Sequence, residues 1–224
     1  MKSPIIEHLQ KETDSIILFH SATGKDSISL LDMLYPFFKR IVCVYMYIVP
    51  DLEHVNKYIR WAENKYQVEF LQVPHFILND YVKTGYMGIQ KNEDVKYSTL
   101  SKLDKQIRVK TGINHTVYGF KKSDSMNRRF MLKELLFEGY NQKTQKAYPL
   151  TDWNNALALK YIAHKRLLPP LSYNQKTRST GFDITDANLM AWLKQYYPND
   201  LQKVTEQFPA TKTILFEHEY SKDI

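Results

Sequence analysis

The stretch Ile17-Leu18-Phe19-His20-Ser21-Ala22-Thr23-Gly24-Lys25-Asp26-Ser27 carries the clearest chemistry in the chain. An apolar run of strand type enters a turn of small residues, and a helical pattern begins at once. Small residues let a backbone turn tightly and bring its N–H groups close to an anion. A helix N-terminus adds unpaired donors and the positive end of a dipole. Lys25 supplies a full charge and Ser27 a hydroxyl. Ser21, Thr23, Gly24, Lys25, Asp26 and Ser27 therefore form a candidate phosphate cradle. It is not a Walker A loop, because G-x-x-x-x-G-K-[ST] is absent. The plainer reading is a strand-to-helix turn capped by Thr23 or Asp26. Asp26 could also orient a Mg²⁺ ion bridging two phosphates.

A second locus is Gly119 to Arg129, where Lys121 and Lys122 lie on a loop and Arg128 and Arg129 open a helix. Adjacent helical positions point about 100° apart, so one arginine can serve a site while the other is solvated. Asp51 and Glu53 follow the second apolar run. They read as charge at a helix N-terminus rather than as ligands of a ribose or a metal. Seven histidines show no H-x-x-x-H or H-E-x-x-H spacing, and a histidine zinc site is not indicated. Trp153 and Trp192 read as core anchors.

The elements that position these residues follow from periodicity. SIILFH at 15–20, IVCVYMYIV at 41–49, VEFLQV at 68–73 and HTVYGF at 115–120 read as strands. Helical spacing recurs from Asp26 to Phe38, from Val55 to Tyr66 and from Met126 to Leu136. Strands alternating with helices argue for a parallel sheet covered on both faces, with ligands outside the C-terminal strand ends. Beyond Pro149, helices are expected at Trp153–Leu167, at Asp186–Tyr197 with Asp183 or Thr185 as N-cap, and at Asp200–Phe208. An apolar ILF at 214–216 closes the pattern.

Composition excludes other classes. Hydrophobic residues at 43% and charged residues at 25% suit a folded globular chain rather than a disordered one. No apolar run approaches the roughly 20 residues of a membrane helix, and the N-terminus lacks a signal-peptide core. The expectation is a cytoplasmic protein with no membrane association. The lone Cys43, in a strand-type run, reads as a buried hydrophobe. It rules out an internal disulfide and a cysteine-ligated iron–sulfur cluster. The net charge is +7, and residues 91–146, with 13 basic and 6 acidic side chains, carry all of it. That excess suggests a polyanion, either nucleotide phosphates or a nucleic acid; a solvated basic face is the alternative.

SATGKDS resembles the S-G-G-x-D-S loop of the PP-loop ATP pyrophosphatases, and more narrowly the chain resembles the phosphoadenylyl-sulfate (PAPS) reductase branch. Gly119-Phe120-Lys121-Lys122-Ser123-Asp124-Ser125-Met126-Asn127-Arg128 follows the branch pattern G-x-R-x-x-E-S-x-x-R, with Lys121 and Asp124 replacing Arg and Glu. Pro149-Leu150-Thr151-Asp152-Trp153 matches P-L-x-x-W. Tyr173, Ser179 and Gly181 follow Y-x(5)-S-x-G. The resemblance covers roughly residues 13–183. There are departures. Ala22 and Thr23 replace the first Ser and first Gly of the loop. Phe182 stands where many relatives carry Cys. The final ILFEHEYSKDI has no thiol where the family's reductases carry the attacking Cys of an E-C-G-L-H segment.

The resemblance implies an α/β fold: a five-stranded parallel sheet of the adenine nucleotide α-hydrolase type, helices on both faces, and a helical C-terminal extension. The division would be a core over 1–150 and an extension over 151–224 packed on it. It implies an adenine nucleotide as ligand, with Lys25 and Arg128 catalytic and with Ser21, Thr23, Gly24, Lys25, Asp26, Ser27, Gly119, Lys121 and Arg128 binding it. Tyr173, Arg178 and Ser179 would contact substrate, and Asp26 would hold the metal. The expected reaction uses ATP and Mg²⁺, cuts between the α- and β-phosphates, adenylates an acceptor and releases pyrophosphate. One alternative is a sulfonucleotide reductase-like enzyme with a thiol from a protein partner. Another is a non-catalytic nucleotide- or nucleic-acid-binding subunit that meets nucleic acid through 91–146. Reduction of PAPS by this chain alone is not expected without the C-terminal Cys.

Overall fold

A computed structural model describes residues 3–171 and 182–220. The apolar runs become β1 (Ser15–Phe19), β2 (Arg40–Tyr47), β3 (Glu69–Pro74) and β4 (Thr116–Val117). Two short strands, β5 (Tyr140–Asn141) and β6 (Lys146–Ala147), complete a six-stranded sheet of order β3-β2-β1-β4-β6-β5. β1 runs parallel to β2 and to β4, and β4 parallel to β6. β5 returns antiparallel to β6 at one edge. This edge hairpin adds a strand to the five expected, and two-residue strands are too short to leave an alternation in sequence. Ile16, Ile17 and Leu18 have no exposed surface, as a central parallel strand covered on both faces requires.

The helices, in chain order, are α1 (Pro4–Glu12), α2 (Lys25–Leu34), α3 (Glu53–Tyr66), α4 (Leu78–Thr84), α5 (Leu100–Thr111), α6 (Met126–Lys133), α7 (Asn155–His164), α8 (Ala187–Tyr196), α9 (Pro198–Gln207) and α10 (Thr211–Tyr220). The sequence reading assigns no element to the first fourteen residues. α1 forms there because Ser3 Oγ caps the Ile5 amide, Pro4 opens the helix, and Ile5, Ile6 and Leu9 supply a buried face. At α8 the cap is Asp186, not Asp183 or Thr185. Asp183 is spent one turn earlier, where its carboxylate accepts the Thr185 amide and hydroxyl. The 214–216 apolar triplet lies inside α10.

The chain clusters into two units that interleave in sequence. One comprises Met1–Tyr45, Tyr58–Gln72 and Asp104–Leu171; the other comprises Met46–Lys57, Val73–Leu103 and Ser172–Ile224. Residue 150 falls within the first unit, and α7 belongs to it. There Ile28 of α2 packs on Ile162 and Leu167. Asp32 of α2 accepts the hydroxyls of Tyr66 at 2.8 Å and Tyr161 at 2.7 Å, which stitches α2 to α3 and α7.

In the second unit, Asp200 of α9 caps the start of α3. Its carboxylate accepts the Glu53 amide at 2.8 Å and the His54 amide at 3.0 Å, and His54 Nδ1 lies 2.7 Å away. Burial lowers the His54 pKa, and the nearby Asp200 carboxylate only partly offsets it. Glu53 sits in the first turn of α3, and Asp51 pairs with Lys203 and accepts from Asn56. The acids after the second strand therefore serve the helix entry. Trp192 packs on His54 and Tyr197 in this unit, and Trp153 packs on the core in the other.

Candidate nucleotide-phosphate site

β1 ends at Phe19, and the chain turns through His20–Gly24 into α2. Ala22 takes φ +55°, a left-handed conformation that costs a non-glycine residue about 1 kcal/mol. His20 stabilises that turn: its Nδ1 accepts the Ala22 amide at 2.9 Å. The ring is therefore neutral with its proton on Nε2, and burial pushes its pKa down to about 3. Ser27 Oγ accepts the Ser21 amide at 2.9 Å and lies 3.0 Å from Ser21 Oγ, so both ends of the loop are tied. Thr23 offers its carbonyl to the Leu171 amide. Gly24 is the N-cap position of α2, and no side chain caps that end. The helix start thus has no side-chain cap, and Asp26 is the one acid in its first turn, facing the positive end of the dipole.

Beside this end runs the segment that follows β4. β4 lies next to β1, which brings Gly119 against Asp26: a Cβ on Gly119 would stand 3.5 Å from the Asp26 Cβ. Two residues further, Lys121 is 1% exposed, and its ammonium lies 2.6 Å from Asp26 Oδ2 and 3.0 Å from Asp124 Oδ1. Lys25, also buried, approaches Asp26 Oδ2 at 3.3 Å. Arg128 Nη1 bonds Asp124 Oδ2 at 2.7 Å, and its guanidinium stands 4.0 Å from the centroid of the Phe120 ring. Lys25, Asp26, Lys121, Asp124 and Arg128 thus form a chain of alternating sign with a net charge of +1. Burial opposes the Asp124 anion, but the Lys121 amide and ammonium and the Arg128 guanidinium outweigh it and hold its carboxyl below the usual carboxylate range.

The Pro149–Trp153 segment braces this loop. The Lys122 amide bonds the Thr151 carbonyl, Lys122 pairs with Asp152 and Glu138, and Ser123 Oγ bonds the Trp153 carbonyl at 2.8 Å. Ser21, Thr23, Gly24, Lys25, Asp26, Ser27, Gly119, Lys121 and Arg128 are all brought to this region. Tyr173, Arg178 and Ser179 lie outside the described residues. Two members escaped the sequence reading. His20 signals itself only by directly preceding the loop, and Asp124 only as the replaced acid of a motif.

Among the described residues, no group of three His, Cys, Asp or Glu side chains is arranged to hold a metal ion. Asp26 Oδ1 is nonetheless buried with no hydrogen-bond partner among them, the remaining lone-pair site of a carboxylate whose other oxygen faces the lysines. A magnesium ion carried in on phosphates needs one or two protein carboxylates, and this oxygen fits one. Of the 13 basic residues in 91–146, Lys91, Arg108, Lys121, Lys122, Arg128 and Lys146 pair with carboxylates in the described structure. No helix of the described residues is long and apolar enough to cross a membrane.

No curated protein sequence matches the chain. Solved structures similar to the chain at low identity include the following two. A phosphoadenylyl-sulfate (PAPS) reductase from Candida auris, in a phosphate complex, is 15% identical with a TM-score of 0.46, the match covering 74% of this chain and 87% of that one. An NH3-dependent NAD synthetase from Campylobacter jejuni, in complex with nitrate, is 12% identical with a TM-score of 0.44, covering 94% and 93%. Residues 16–185 match the phosphoadenosine phosphosulfate reductase domain, a span that takes in the His20–Gly24 turn, the Gly119–Arg128 segment and the Pro149–Trp153 brace. The chain belongs to the phosphoadenosine phosphosulfate reductase domain family of PP-loop proteins.

Proposed function

We propose that the site binds ATP, with its phosphates at the N-terminus of α2, and transfers the adenylyl group to an acceptor. The observation that carries this reading is the uncapped start of α2 at Gly24, with Lys25 in its first turn and Arg128 linked to it through Asp124, Lys121 and Asp26. The acceptor's nucleophilic atom would attack the α-phosphorus, the bond to the bridging oxygen of the β-phosphate would break, and pyrophosphate would leave. Fixed amide donors and the two cations would neutralise charge gathering on the leaving group, at no cost of reorganisation. Asp26 Oδ1 would hold a magnesium ion, which supplies further phosphate neutralisation when bound. Lys121, enclosed by two carboxylates, would act on the shape of the site rather than on the phosphates.

Titration calorimetry with ATP tests the reading. Lys25→Ala should weaken binding by a factor of ten or more, on the order of 1.4 kcal/mol or above. Wild-type protein that binds no adenine nucleotide defeats it. Radiolabelled pyrophosphate exchange into ATP, screened over acceptors, then separates turnover from binding alone.

The family match itself favours a second reading, a sulfonucleotide enzyme completed by a partner's thiol. Cys43 is an unsuitable nucleophile for it: it is fully buried in β2, and burial pushes its thiol pKa up. Sulfite release from PAPS or adenylyl sulfate in the presence of a thioredoxin-type donor, and not in its absence, would support this second reading over the first. A nucleic acid as acceptor or partner would use the basic residues of 91–146 not engaged with carboxylates, such as Lys105, Lys110 and Lys133. Salt-sensitive retention of single-stranded DNA or RNA on filters would support it, and undetectable retention at low salt would end it.

A further inference from the structure

We infer that Asp124 is a positioning residue that holds the Arg128 guanidinium in one orientation at the phosphate site; the inference rests on the nucleotide reading above and extends it. Asp124 lies three residues after Lys121 and four before Arg128, and its carboxylate receives three donors from them. These are the Lys121 amide at 2.9 Å, the Lys121 ammonium at 3.0 Å and Arg128 Nη1 at 2.7 Å. Arg128 is then held twice, edge-on by the carboxylate and face-on by the Phe120 ring. Its side chain keeps 41% of its surface exposed, so it is anchored without being enclosed. The Asp124 side chain is 19% exposed, and the Lys121 side chain 2%.

Two consequences separate this role from a simple ion pair. First, a free arginine loses rotamer entropy when it meets a phosphate, whereas an arginine already held loses little. Second, charge counting alone points the other way. A carboxylate this close to an anion site repels the ligand, and its removal ought to tighten binding. Positioning predicts the opposite sign. The side-chain lengths are consistent with the role: the buried ammonium meets Asp124 Oδ1 directly, and Oδ2 accepts both the Lys121 amide and Arg128 Nη1.

The test uses the full chain and two readouts, ATP affinity by calorimetry at fixed ionic strength and the rate of phenylglyoxal modification of Arg128 mapped by peptide mass. For Asp124→Asn, the ATP dissociation constant should rise about tenfold and Arg128 should react faster. Arg128→Ala should weaken binding to a similar degree, and the double variant should be no weaker than Arg128→Ala alone. Arg128→Lys, at a partly exposed position, should lose nearly as much as Arg128→Ala, because it keeps the charge but not the planar guanidinium. Tighter ATP binding by Asp124→Asn, fully additive losses, an unchanged modification rate, or near-wild-type affinity in Arg128→Lys would each overturn the proposal. If the wild type binds no nucleotide, the nucleotide reading fails, while the modification rates still decide whether Asp124 holds Arg128. If Asp124→Asn does not fold, the Arg128→Lys result decides.

Discussion

Gly24 stands where any side chain would collide with Ser21: a Cβ built there falls 2.3 Å from Ser21 Oγ. The backbone of Gly24 is ordinary, at φ −83°, so the demand for glycine comes from space rather than from conformation. Gly24→Ala should force the Ser21 hydroxyl away from Ser27 and cost about 1 kcal/mol, the usual net value of such a hydrogen bond. In a Ser21→Ala background the same change should cost much less, because the colliding atom is gone. Urea denaturation of the single and double variants checks this, and equal losses in both backgrounds would contradict it.

His20 should make stability depend on pH. Its native pKa is depressed to about 3, against an ordinary value of 6.5. The unfolded chain takes up the proton first as pH falls. The contribution is therefore complete above about pH 6.5 and is lost progressively between 6.5 and 3, with a slope of up to about 1.4 kcal/mol per pH unit. His20→Asn places an amide oxygen where Nδ1 accepts the Ala22 amide but does not titrate. Its unfolding free energy should fall less than that of the wild type between pH 7 and pH 4.5.

Asp104 is the only carboxylate in the described structure shared by Arg108 and Lys146, each 3.2 Å from its Oδ2, while its Oδ1 accepts the Thr116 hydroxyl. Asp104→Ala would leave two largely buried cations facing one another. A loss of about 3 to 5 kcal/mol is expected. A denaturant titration with unchanged slope and a lowered midpoint would report it; a shift under 1 kcal/mol would mean the cations reach solvent instead.

The Cys43 thiol should be silent in the native protein. It has no exposed surface, and burial raises its pKa well above the ordinary thiol value. An aromatic disulfide reagent should titrate one thiol per chain in denaturant, and under native conditions only at the rate of unfolding. Fast reaction of the folded protein would show β2 to be far more open than the sheet implies.

The long elements were legible in sequence. β1, β2 and β3 announce themselves as apolar runs, and α2 and α3 by spacing such as Ile28, Leu31, Leu34 and Val55, Ile59, Ala62. β5 and β6 did not, because β6 exists only through pairing with β4, and β5 only through pairing with β6. The turn from β1 into α2 stands out as a candidate site in sequence because its small and charged residues are consecutive. Asp124 and His20 do not, since each acts through an orientation that a turn sets: Asp124 by reaching both Lys121 and Arg128, His20 by aiming Nδ1 at Ala22. Lys146 reaches Asp104 only because β6 pairs with β4 in the register Thr116↔Lys146, a relation no local pattern encodes.

β4 and the residues after it alternate between two jobs. Thr116, Tyr118 and Phe120 form one series: Thr116 bonds Asp104, and Tyr118 and Phe120 stack with Tyr148, with Phe19 on Tyr118. Val117, Gly119 and Lys121 form the other, from the apolar core to the neighbourhood of Asp26. Because these residues alternate in the contacts they make, one deleted residue upstream would exchange the series, sending Lys121's ammonium toward the aromatic stack and a bulky ring toward Asp26. Substitution can therefore adjust the two series independently, whereas a change of length cannot: this short stretch tolerates altered spelling but not altered spacing.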